Sequence, residues 1–459
     1  MIKYDVAIIG GGISGLSALH YIKKEKPKAS VHLFEADNRL GGTIGTDNID
    51  GYSFDWGPNG FLDREPLTLQ LCDELNLKNS LERAGDSVNN RFILRNGKLR
   101  NVPMSPPAFL KSDILSILGK LRLFMEPFAK NRKEGIDESV YDFVKRRIGI
   151  EAADYLVQPM VSGVYGGVAQ KLSLQSCFPI MREMEDEYGS LFKAMITKAR
   201  KAKKESKKSG GPSGPGGWLT SFDGGLYKII ERLNELYAGY IDTSAKIKKI
   251  SKENCYQIEL ENGSKFEADN LIIAIPSNNV VPIIKDLSPK LSSVLNEIPY
   301  APISVVCLGY SADVIKSDLN GFGFLVPKKE NLNILGSIWT SSIFKKRVPK
   351  CGVQFRTMIG GDGDHESIKL SDEKLQKFAI ADLSKILKIE GKPDVVKIYK
   401  WKYGIPQFII GHNDRLKNIE TELDKLQNIY LTGNAYYGIG LNDCIKQSYK
   451  VVNNLIKNL

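Results

Sequence analysis

Cysteine and histidine are scarce in this chain of 459 residues, which contains six cysteines and four histidines. The cysteines are widely separated, with no C-x-x-C pair, and the histidines form no H-x-x-x-H arrangement. This pattern excludes the common zinc motifs and a disulfide framework. We therefore expect no metal site, and we expect the cysteines to be buried packing residues of a protein in a reducing compartment.

Long apolar segments are also absent. No run approaches the roughly 20 apolar residues that a membrane-spanning helix requires, so we expect no transmembrane segment. The chain begins directly with a strand-like segment and shows neither a signal peptide nor a transit peptide. These features predict a cytoplasmic protein, with peripheral contact to the inner face of a membrane as an open alternative.

Positive charge exceeds negative charge by 11, but the excess is concentrated in one place. Residues 198–208 hold seven Lys or Arg and one acid, which gives this segment a charge of +6. The remaining charge is ordinary, and aromatic residues are not spaced for contact with bases, so we expect no nucleic-acid partner. The Lys-, Gly- and Pro-rich segment 198–217 is predicted to be a disordered surface loop.

The N-terminal segment has the spacing typical of dinucleotide binding. A short apolar strand (4–9) leads to Gly10, Gly12 and Gly15, and a helical pattern and a second strand follow. This spacing permits a tight turn, close approach of a pyrophosphate and packing of the helix on the strand. Glu35 ends the second strand, where a carboxylate accepts hydrogen bonds from a ribose and repels the extra phosphate of NADP. The alternative is a tight glycine turn without a ligand.

A second glycine-rich region follows Glu35. Arg39, Gly42 and Thr43 belong to the pattern E-x-x-x-R-x-G-G-T, and a further glycine-containing stretch occupies residues 57–60. An NAD dehydrogenase has no need of a glycine doublet here, whereas FAD does, because its flavin end extends well past the pyrophosphate. The pattern resembles the amine-oxidase-like flavoprotein superfamily.

The C-terminal end of the chain repeats the order of strand, glycine-rich turn and helix. An apolar strand (429–432) precedes Gly433 and Asn434, and a helical stripe begins near Asn442, which is the expected N-cap. In the resembling superfamily this turn covers the flavin, and the helix N-terminus would stabilise the reduced anion. The alternative is a packing helix that follows flexible glycines.

Five internal stretches narrow the resemblance. They are N-N-R-F at 89–92, V-S-G-V-Y-G-G at 161–167, G-F-G-F-L-V-P at 321–327, M-I-G-G at 358–361 and G-x-G-x-N-D-C-I at 438–445. Together they resemble the oxygen-dependent protoporphyrinogen/coproporphyrinogen oxidases of haem biosynthesis, nearly from end to end of the chain. The Lys- and Gly-rich insertion that ends at residue 217 departs from the family pattern.

The resemblance implies oxidation of a porphyrinogen to a porphyrin in three two-electron rounds, with FAD as the acceptor and O2 reoxidising it to give H2O2. Protoporphyrinogen IX is the expected substrate and coproporphyrinogen III the alternative. Because the flavin carries this chemistry, no acid–base catalyst is assigned. Arg91 matches the family position that pairs with a propionate of the substrate. Phe322, Leu325 and Met358 match the positions that sandwich the tetrapyrrole ring. The implied substrate positions are Arg91, Gly166, Gly167, Phe322, Leu325 and Met358.

The motifs and the resemblance also imply a set of FAD-binding residues, in which Ile247 would contact adenine through its backbone. The set is Gly10, Gly11, Gly12, Ile13, Ser14, Gly15, Glu35, Ala36, Arg39, Gly42, Thr43, Gly57, Pro58, Asn59, Gly60, Ile247, Asn434, Ile439, Gly440 and Leu441.

The expected fold is α/β, with a discontinuous Rossmann-like FAD-binding domain, an α+β substrate-binding domain and a helical subdomain. The FAD-binding domain is predicted to take residues 1–88, 218–285 and 396–459, and the substrate-binding domain to take 89–101 and 286–395. The helical subdomain is predicted to span 102–217. Its amphipathic stretch either packs in the core or lies in a membrane interface. The sequence also leaves open whether the chain forms a homodimer.

Other functions remain open at this point. A monoamine or polyamine oxidase would carry an aromatic pair facing the flavin, for which the candidates are Trp401, Tyr403, Tyr436 and Tyr437. A carotenoid desaturase would need no propionate partner, which makes Arg91 the discriminating residue. A non-catalytic protein resembling the Rab GDP-dissociation inhibitors would share the fold but bind no flavin.

Overall fold

The computed structural model describes residues 1–103, 106–131, 135–204, 217–457 and 459. Within them the strands are β1 (Ile2–Ile9), β2 (Val31–Phe34), β3 (Thr46–Ile49), β4 (Tyr52–Asp55), β5 (Phe61–Leu62), β6 (Leu81–Arg83), β7 (Arg91–Arg95), β8 (Lys98–Asn101), β9 (Leu219–Phe222), β10 (Ile241–Asp242), β11 (Ile247–Lys252), β12 (Tyr256–Leu260), β13 (Lys265–Ile273), β14 (Tyr300–Ser311), β15 (Gly323–Leu325), β16 (Ile334–Trp339), β17 (Gly352–Gly360), β18 (Val395–Pro406) and β19 (Ile429–Leu431). The helices are α1 (Ile13–Glu25), α2 (Pro66–Glu74), α3 (Pro106–Lys111), α4 (Ile117–Phe124), α5 (Val140–Ile148), α6 (Ile150–Ala152), α7 (Gln158–Tyr165), α8 (Leu174–Cys177), α9 (Pro179–Tyr188), α10 (Leu191–Lys204), α11 (Lys228–Tyr237), α12 (Ser277–Ile284), α13 (Pro289–Asn296), α14 (Thr340–Ile343), α15 (Asp372–Ile386), α16 (His412–Leu426) and α17 (Leu441–Leu455).

The first large sheet has the strand order β10-β2-β1-β13-β12-β11, and β19 pairs with β13. Strand β1 lies parallel to both β2 and β13. Val6, Ala7 and Ile8 are fully buried, as expected for a central strand whose two faces are both covered. Helices α1, α11 and α17 pack on one face, and α12, α13 and α16 pack on the other. The predicted Rossmann-like α/β fold is confirmed.

The second large sheet has the order β18-β14-β17-β16-β15-β7-β8, and its neighbours are antiparallel except for β15 and β7. Helix α15 covers one face, because its apolar side chains Leu375, Ala379 and Leu383 recur at helical spacing and are buried against the strands. The segment around β3 and β4 lies against part of the other face, where Tyr52 and Phe54 pack.

Strand β18 pairs with β14 along most of its length and so belongs to the second sheet. The sequence-based division assigned residues 396–406 to the third FAD-binding segment. We group them instead with the second sheet, because their backbone hydrogen bonds join that sheet. The remaining division of the chain stays a prediction.

Helices α3 to α10 form a separate layer held partly by buried charge. Arg147 and Glu126 are fully buried and form an ion pair at 2.6 Å, which Ser190 and the chain at Leu191 complete with hydrogen bonds to Glu126. Helix α10 continues to Lys204, so the expected disordered loop is wrong for residues 198–204. Residues 205–216 of that loop lie outside the described residues.

Among the described residues, no helix is long and apolar enough to cross a membrane. In the same part of the chain, no group of three His, Cys, Asp or Glu side chains could hold a metal ion. Four cysteines are buried, as expected (Cys72, Cys177, Cys307 and Cys444), whereas Cys351 is exposed.

Candidate functional site

The three glycines of the N-terminal turn have different surroundings. Gly10 has a φ of +106°, and a Cβ there would lie 2.6 Å from Cγ2 of Ile275. A Cβ on Gly15 would overlap the carbonyl oxygen of Gly10, so only glycine lets α1 pack against the turn. A Cβ on Gly12 would meet nothing within 4 Å. Gly12 therefore faces open space at the N-terminus of α1, where free N–H groups favour an anion.

Glu35 is held beside this turn by two backbone donors. The N–H of Gly11 donates to Oε2 at 2.6 Å, and the N–H of Asp37 donates to Oε1 at 2.8 Å. Burial raises the pKa of Glu35, and these hydrogen bonds oppose the rise. The N–H of Ala245 donates to the Glu35 carbonyl at 2.7 Å, so the start of β11, with Ile247, lies next to the acid.

The second glycine region lies against the first. Gly12 and Gly41 form a short parallel bridge, and a Cβ on Gly42 would lie 3.7 Å from the Cα of Gly12. The guanidinium of Arg39 donates to the carbonyl oxygen of Gly42 at 2.5 Å and lies 4.2 Å from the ring centroid of Trp56. Trp56 could not be predicted from the sequence, because a lone aromatic residue gives no signal before the fold is known.

Helix α17 begins two residues earlier than predicted. Its first residue is Leu441 and its N-cap is Gly440, whose N–H donates to Oδ2 of Asp443 at 3.1 Å. The expected N-cap, Asn442, instead donates from its side chain to the carbonyl oxygen of Leu62 at 2.8 Å. The prediction of the cap was wrong because the aspartate reaches back to the glycine and supplies the cap from inside the helix.

The N-terminal and C-terminal turns meet. The hydroxyl of Ser448 in α17 donates to the carbonyl oxygen of Ser14 in α1 at 2.8 Å. A Cβ on Gly433, like one on Gly12, would meet nothing within 4 Å. Asn434 and Ile439 follow on the same turn and are partly buried. The N-terminal and C-terminal turns, more than 400 positions apart in the sequence, are therefore neighbours in the fold.

Polar atoms of the segment 56–59, where a Cβ on Gly57 would lie 2.3 Å from the carbonyl oxygen of Thr43, lack a hydrogen-bond partner among the described residues. They include Nδ2 of Asn59 and Nε1 of Trp56, both of which are buried. A polar ligand bound here would supply acceptors for these two N–H groups. The open faces of Gly12 and Gly433 supply room for backbone to approach a pyrophosphate. The residues present therefore fit FAD.

Three of the predicted substrate residues, Arg91, Leu325 and Met358, direct their side chains to one face of the second sheet. Met358 in β17 pairs with Val305 and with Gly336, and Leu325 in β15 also pairs with Gly336. Directly paired residues direct their side chains to the same face of a sheet. A Cβ on Gly163 in α7 would lie 2.5 Å from Cδ2 of Leu325, so α7 packs directly against this face.

Gly166 and Gly167 end α7 beside the same sheet. Gly166 has a φ of +58°, and a Cβ there would lie 3.5 Å from Cβ of Ala301. The carbonyl oxygen of Gly166 accepts from the N–H of Asp362 at 2.6 Å. A Cβ on Gly167 would lie 2.7 Å from Oε1 of Gln407.

Arg91 begins β7, and its guanidinium carbon lies 5.5 Å from the ring centroid of Phe322. Its Nε is buried and has no hydrogen-bond partner among the described residues. Burial lowers the pKa of Arg91, although the group remains a cation at physiological pH. The arrangement presents a cation and an aromatic ring at one end of an apolar face, which suits an apolar molecule that carries a carboxylate.

The family model, the relatives in sequence and the structural neighbour are all described as flavin oxidoreductases or porphyrinogen oxidases. Residues 13–456 match the family described as flavin containing amine oxidoreductase. The coproporphyrinogen III oxidase of Bacillus subtilis is 29% identical, over 100% of this chain and 99% of its own length. The chloroplastic protoporphyrinogen oxidase of Nicotiana tabacum is 31% identical, over 98% of this chain and 85% of its own. A crystal structure from Exiguobacterium, provisionally assigned as a protoporphyrinogen oxidase, superposes with a TM-score of 0.86 at 25% identity, covering 100% and 99% of the two chains.

Proposed function

Because this chain belongs to the flavin containing amine oxidoreductase family, we propose that it oxidises a porphyrinogen to a porphyrin in haem biosynthesis. Its cofactor is FAD. The reaction removes six electrons and six protons from the ring, and three O2 molecules leave as three H2O2. Protoporphyrinogen IX is the substrate expected from the sequence and coproporphyrinogen III the alternative.

When bound, FAD accepts two electrons in each round and passes them to O2. The chain itself binds and orients the two molecules and keeps water from the reacting atoms. We assign the pyrophosphate to Gly12 and to the N-terminus of α1, and the ribose to Glu35. The full set of proposed cofactor residues is the one that the sequence motifs imply, from Gly10 to Leu441.

The observation that carries the proposed function is the cation of Arg91, which lies at one end of an apolar face and has no ion-pair partner among the described residues. A porphyrinogen is a large apolar ring with propionate groups, so it needs a slot of this kind. Leu325 and Met358 supply the apolar part, and α7 limits the slot through Gly166 and Gly167. A guanidinium holds a propionate with two parallel hydrogen bonds, which also fixes the orientation of the ring.

Replacing Arg91 with Ala tests this proposal. The variant loses a charge-assisted hydrogen bond, and we expect kcat/KM for porphyrinogen to fall about tenfold to a hundredfold. The ratio of FAD to protein should not change, because Arg91 belongs to the other sheet. The control is Arg232→Ala on α11, where the guanidinium pairs with Glu235 at 2.8 Å. Equal kinetics for Arg91→Ala and the wild type would refute the role.

We further propose that the chain contacts a membrane through an apolar ridge around α4. The ridge is defined by exposed side chains that project from the helical layer: Leu110, Ile117, Leu118, Leu121, Phe124, Met125 and Phe128. Ile117 and Leu118 are each 77% exposed, and Phe128 is 85% exposed. Beside the ridge, Arg95, Arg100, Lys111 and Lys120 line a depression of about 460 Å³. Apolar side chains flanked by cations suit the surface of an anionic bilayer. The alternative to a membrane at this ridge is a second copy of the chain.

A further inference from the structure

A second arginine lies on the same face of the sheet as Arg91. The backbone register aligns Arg91, Gly323, Ile338 and Arg356 in one row across β7, β15, β16 and β17. Residues paired in this way direct their side chains to one face, which is also the face of Met358. Three strand spacings separate the two arginines, so their Cα atoms are about 14 Å apart.

Arg356 is buried and has few partners. It is 7% exposed, and the single hydrogen bond that it makes to the described residues runs from Nη2 to the carbonyl oxygen of Gly57. Its Nε is buried and has no partner among those residues. A guanidinium has five N–H donors, and the described residues accept a hydrogen bond from one of its nitrogens, Nη2. Burial lowers the pKa of Arg356, which reflects the cost of holding this cation away from water.

No carboxylate in the described part of the chain forms an ion pair with Arg356. Asp55 is close enough for its charge to act on Arg356. Its Oδ2, however, pairs with Arg347, and its Oδ1 accepts from the hydroxyl of Thr46 at 2.7 Å and from the N–H of Leu226 at 3.0 Å. The carboxylate is therefore already committed to other groups.

Arg347 shows what a structural buried arginine looks like in this fold. It is fully buried, and it both pairs with Asp55 and donates to the hydroxyl of Ser221 at 2.6 Å. Arg147 in the helical layer is likewise fully buried and paired with Glu126. Buried charges in folded proteins are normally paired in this manner. A buried Nε without a partner is common to all three arginines, so Arg356 differs from the other two in having no carboxylate partner among the described residues. Its Nη2 donates to the loop that begins at Gly57.

We propose that Arg356 is a second carboxylate-binding cation of the substrate slot, opposite Arg91. This inference rests on the proposed porphyrinogen oxidation and names its substrate. Protoporphyrinogen IX has two propionates, on neighbouring pyrroles, whereas coproporphyrinogen III has one propionate on each of its four pyrroles. Cations at both ends of the row match carboxylates at opposite edges of the ring. The pair therefore selects coproporphyrinogen III over protoporphyrinogen IX.

The test compares kcat/KM for both porphyrinogens in the FAD-loaded full chain and in two variants. Arg356→Gln keeps an N–H donor for Gly57 but removes the charge, and Arg356→Lys keeps the charge. We expect Arg356→Gln to lower kcat/KM for coproporphyrinogen III about tenfold or more. The value for protoporphyrinogen IX should change less than about threefold, and Arg356→Lys should restore part of the loss. The visible spectrum of the flavin and the ratio of FAD to protein should stay as in the wild type.

Four outcomes would overturn the proposal. An equal loss for both substrates, or a loss of FAD, would mean that Arg356 serves the cofactor or the loop at Gly57. Unchanged kinetics would mean that it binds no carboxylate. If Arg356→Gln does not fold, the proposal is tested by the kcat/KM values of the wild type for the two porphyrinogens. The wild type must then prefer coproporphyrinogen III. A preference for protoporphyrinogen IX contradicts the proposal. A wild type that oxidises neither ring refutes the porphyrinogen activity instead.

Discussion

At the scale of single residues, two glycines of the same sequence motif are required for opposite structural reasons. Gly15 is required because a side chain would overlap the backbone of Gly10, whereas Gly12 has open space on its outer side. The G-x-G-x-x-G spacing predicted both positions, because each is needed wherever a helix packs on a strand and a phosphate approaches. Only the fold shows which of these glycines tolerates a side chain when no ligand is bound.

This difference leads to a prediction for Gly12→Val. A valine side chain fits the space that the protein leaves at this position but occupies the place of the pyrophosphate. We expect the variant to fold with a melting temperature near that of the FAD-free wild type and to bind FAD at least about tenfold more weakly, since close backbone approach is lost. The flavin-to-protein absorbance ratio and a titration with FAD measure this.

The matched control is Gly239→Val. A Cβ on Gly239 also meets nothing within 4 Å, but this residue lies far along the chain from the glycine motifs. The control should retain the wild-type content of FAD. A Gly12→Val protein that purifies with full flavin content would contradict the assignment of the pyrophosphate to the N-terminus of α1.

Arg356 illustrates what a sequence does not reveal at this scale. An arginine in a strand is usually solvated or paired, and nothing in the surrounding motif marks it as unusual. Its significance depends on the pairing register of β7, β15, β16 and β17, which brings it into the row of Arg91. Arg91 itself could be predicted, because it lies within a stretch that resembles a known family.

At the scale of elements, the strand–turn–helix units at both ends of the chain could be predicted from the sequence. The residues at which individual helices begin and end could be predicted less well. Helix α17 begins at Leu441 because Asp443 caps Gly440. Helix α10 continues through a lysine-rich stretch to Lys204. Lysine has high helix propensity, so its abundance alone does not indicate disorder. Strand β18 joins the second sheet through pairing with β14, which local sequence cannot specify.

The apolar ridge around α4 supports a prediction at this scale. We expect the wild type to sediment with vesicles that contain anionic lipid, and less with neutral vesicles or at high salt. Leu118→Asp should weaken the partition into vesicles about tenfold or more, because a leucine side chain contributes roughly 1.5–3 kcal/mol on burial.

The control for the ridge is Leu236→Asp on α11, a leucine that is 43% exposed on another surface. It should sediment with vesicles like the wild type. Equal sedimentation of Leu118→Asp and the wild type would contradict membrane contact at this ridge. Concentration-dependent dimers that Leu118→Asp disrupts, without vesicle binding, would assign the ridge to a second copy of the chain.

At the scale of the whole molecule, the site is built from distant parts of the chain. The FAD-binding space combines the first turn with the last, and the proposed substrate face combines β7 with strands that follow more than 200 residues later. The resemblance predicted this discontinuity, because the family implies it. The sheet orders could not be predicted, because they depend on long-range pairing that no local pattern records.

The most direct test of porphyrinogen oxidation is made on the purified full chain in one cuvette. The visible spectrum is recorded first, and porphyrin fluorescence is then followed in air after addition of each porphyrinogen, with heat-denatured protein as the control for spontaneous oxidation. We expect flavin bands, porphyrin emission well above the control and three H2O2 for each porphyrin formed. Flavin bands without emission above the control would contradict the porphyrinogen activity and favour an amine oxidase or a carotenoid desaturase. A protein that takes up no FAD would contradict the cofactor assignment itself.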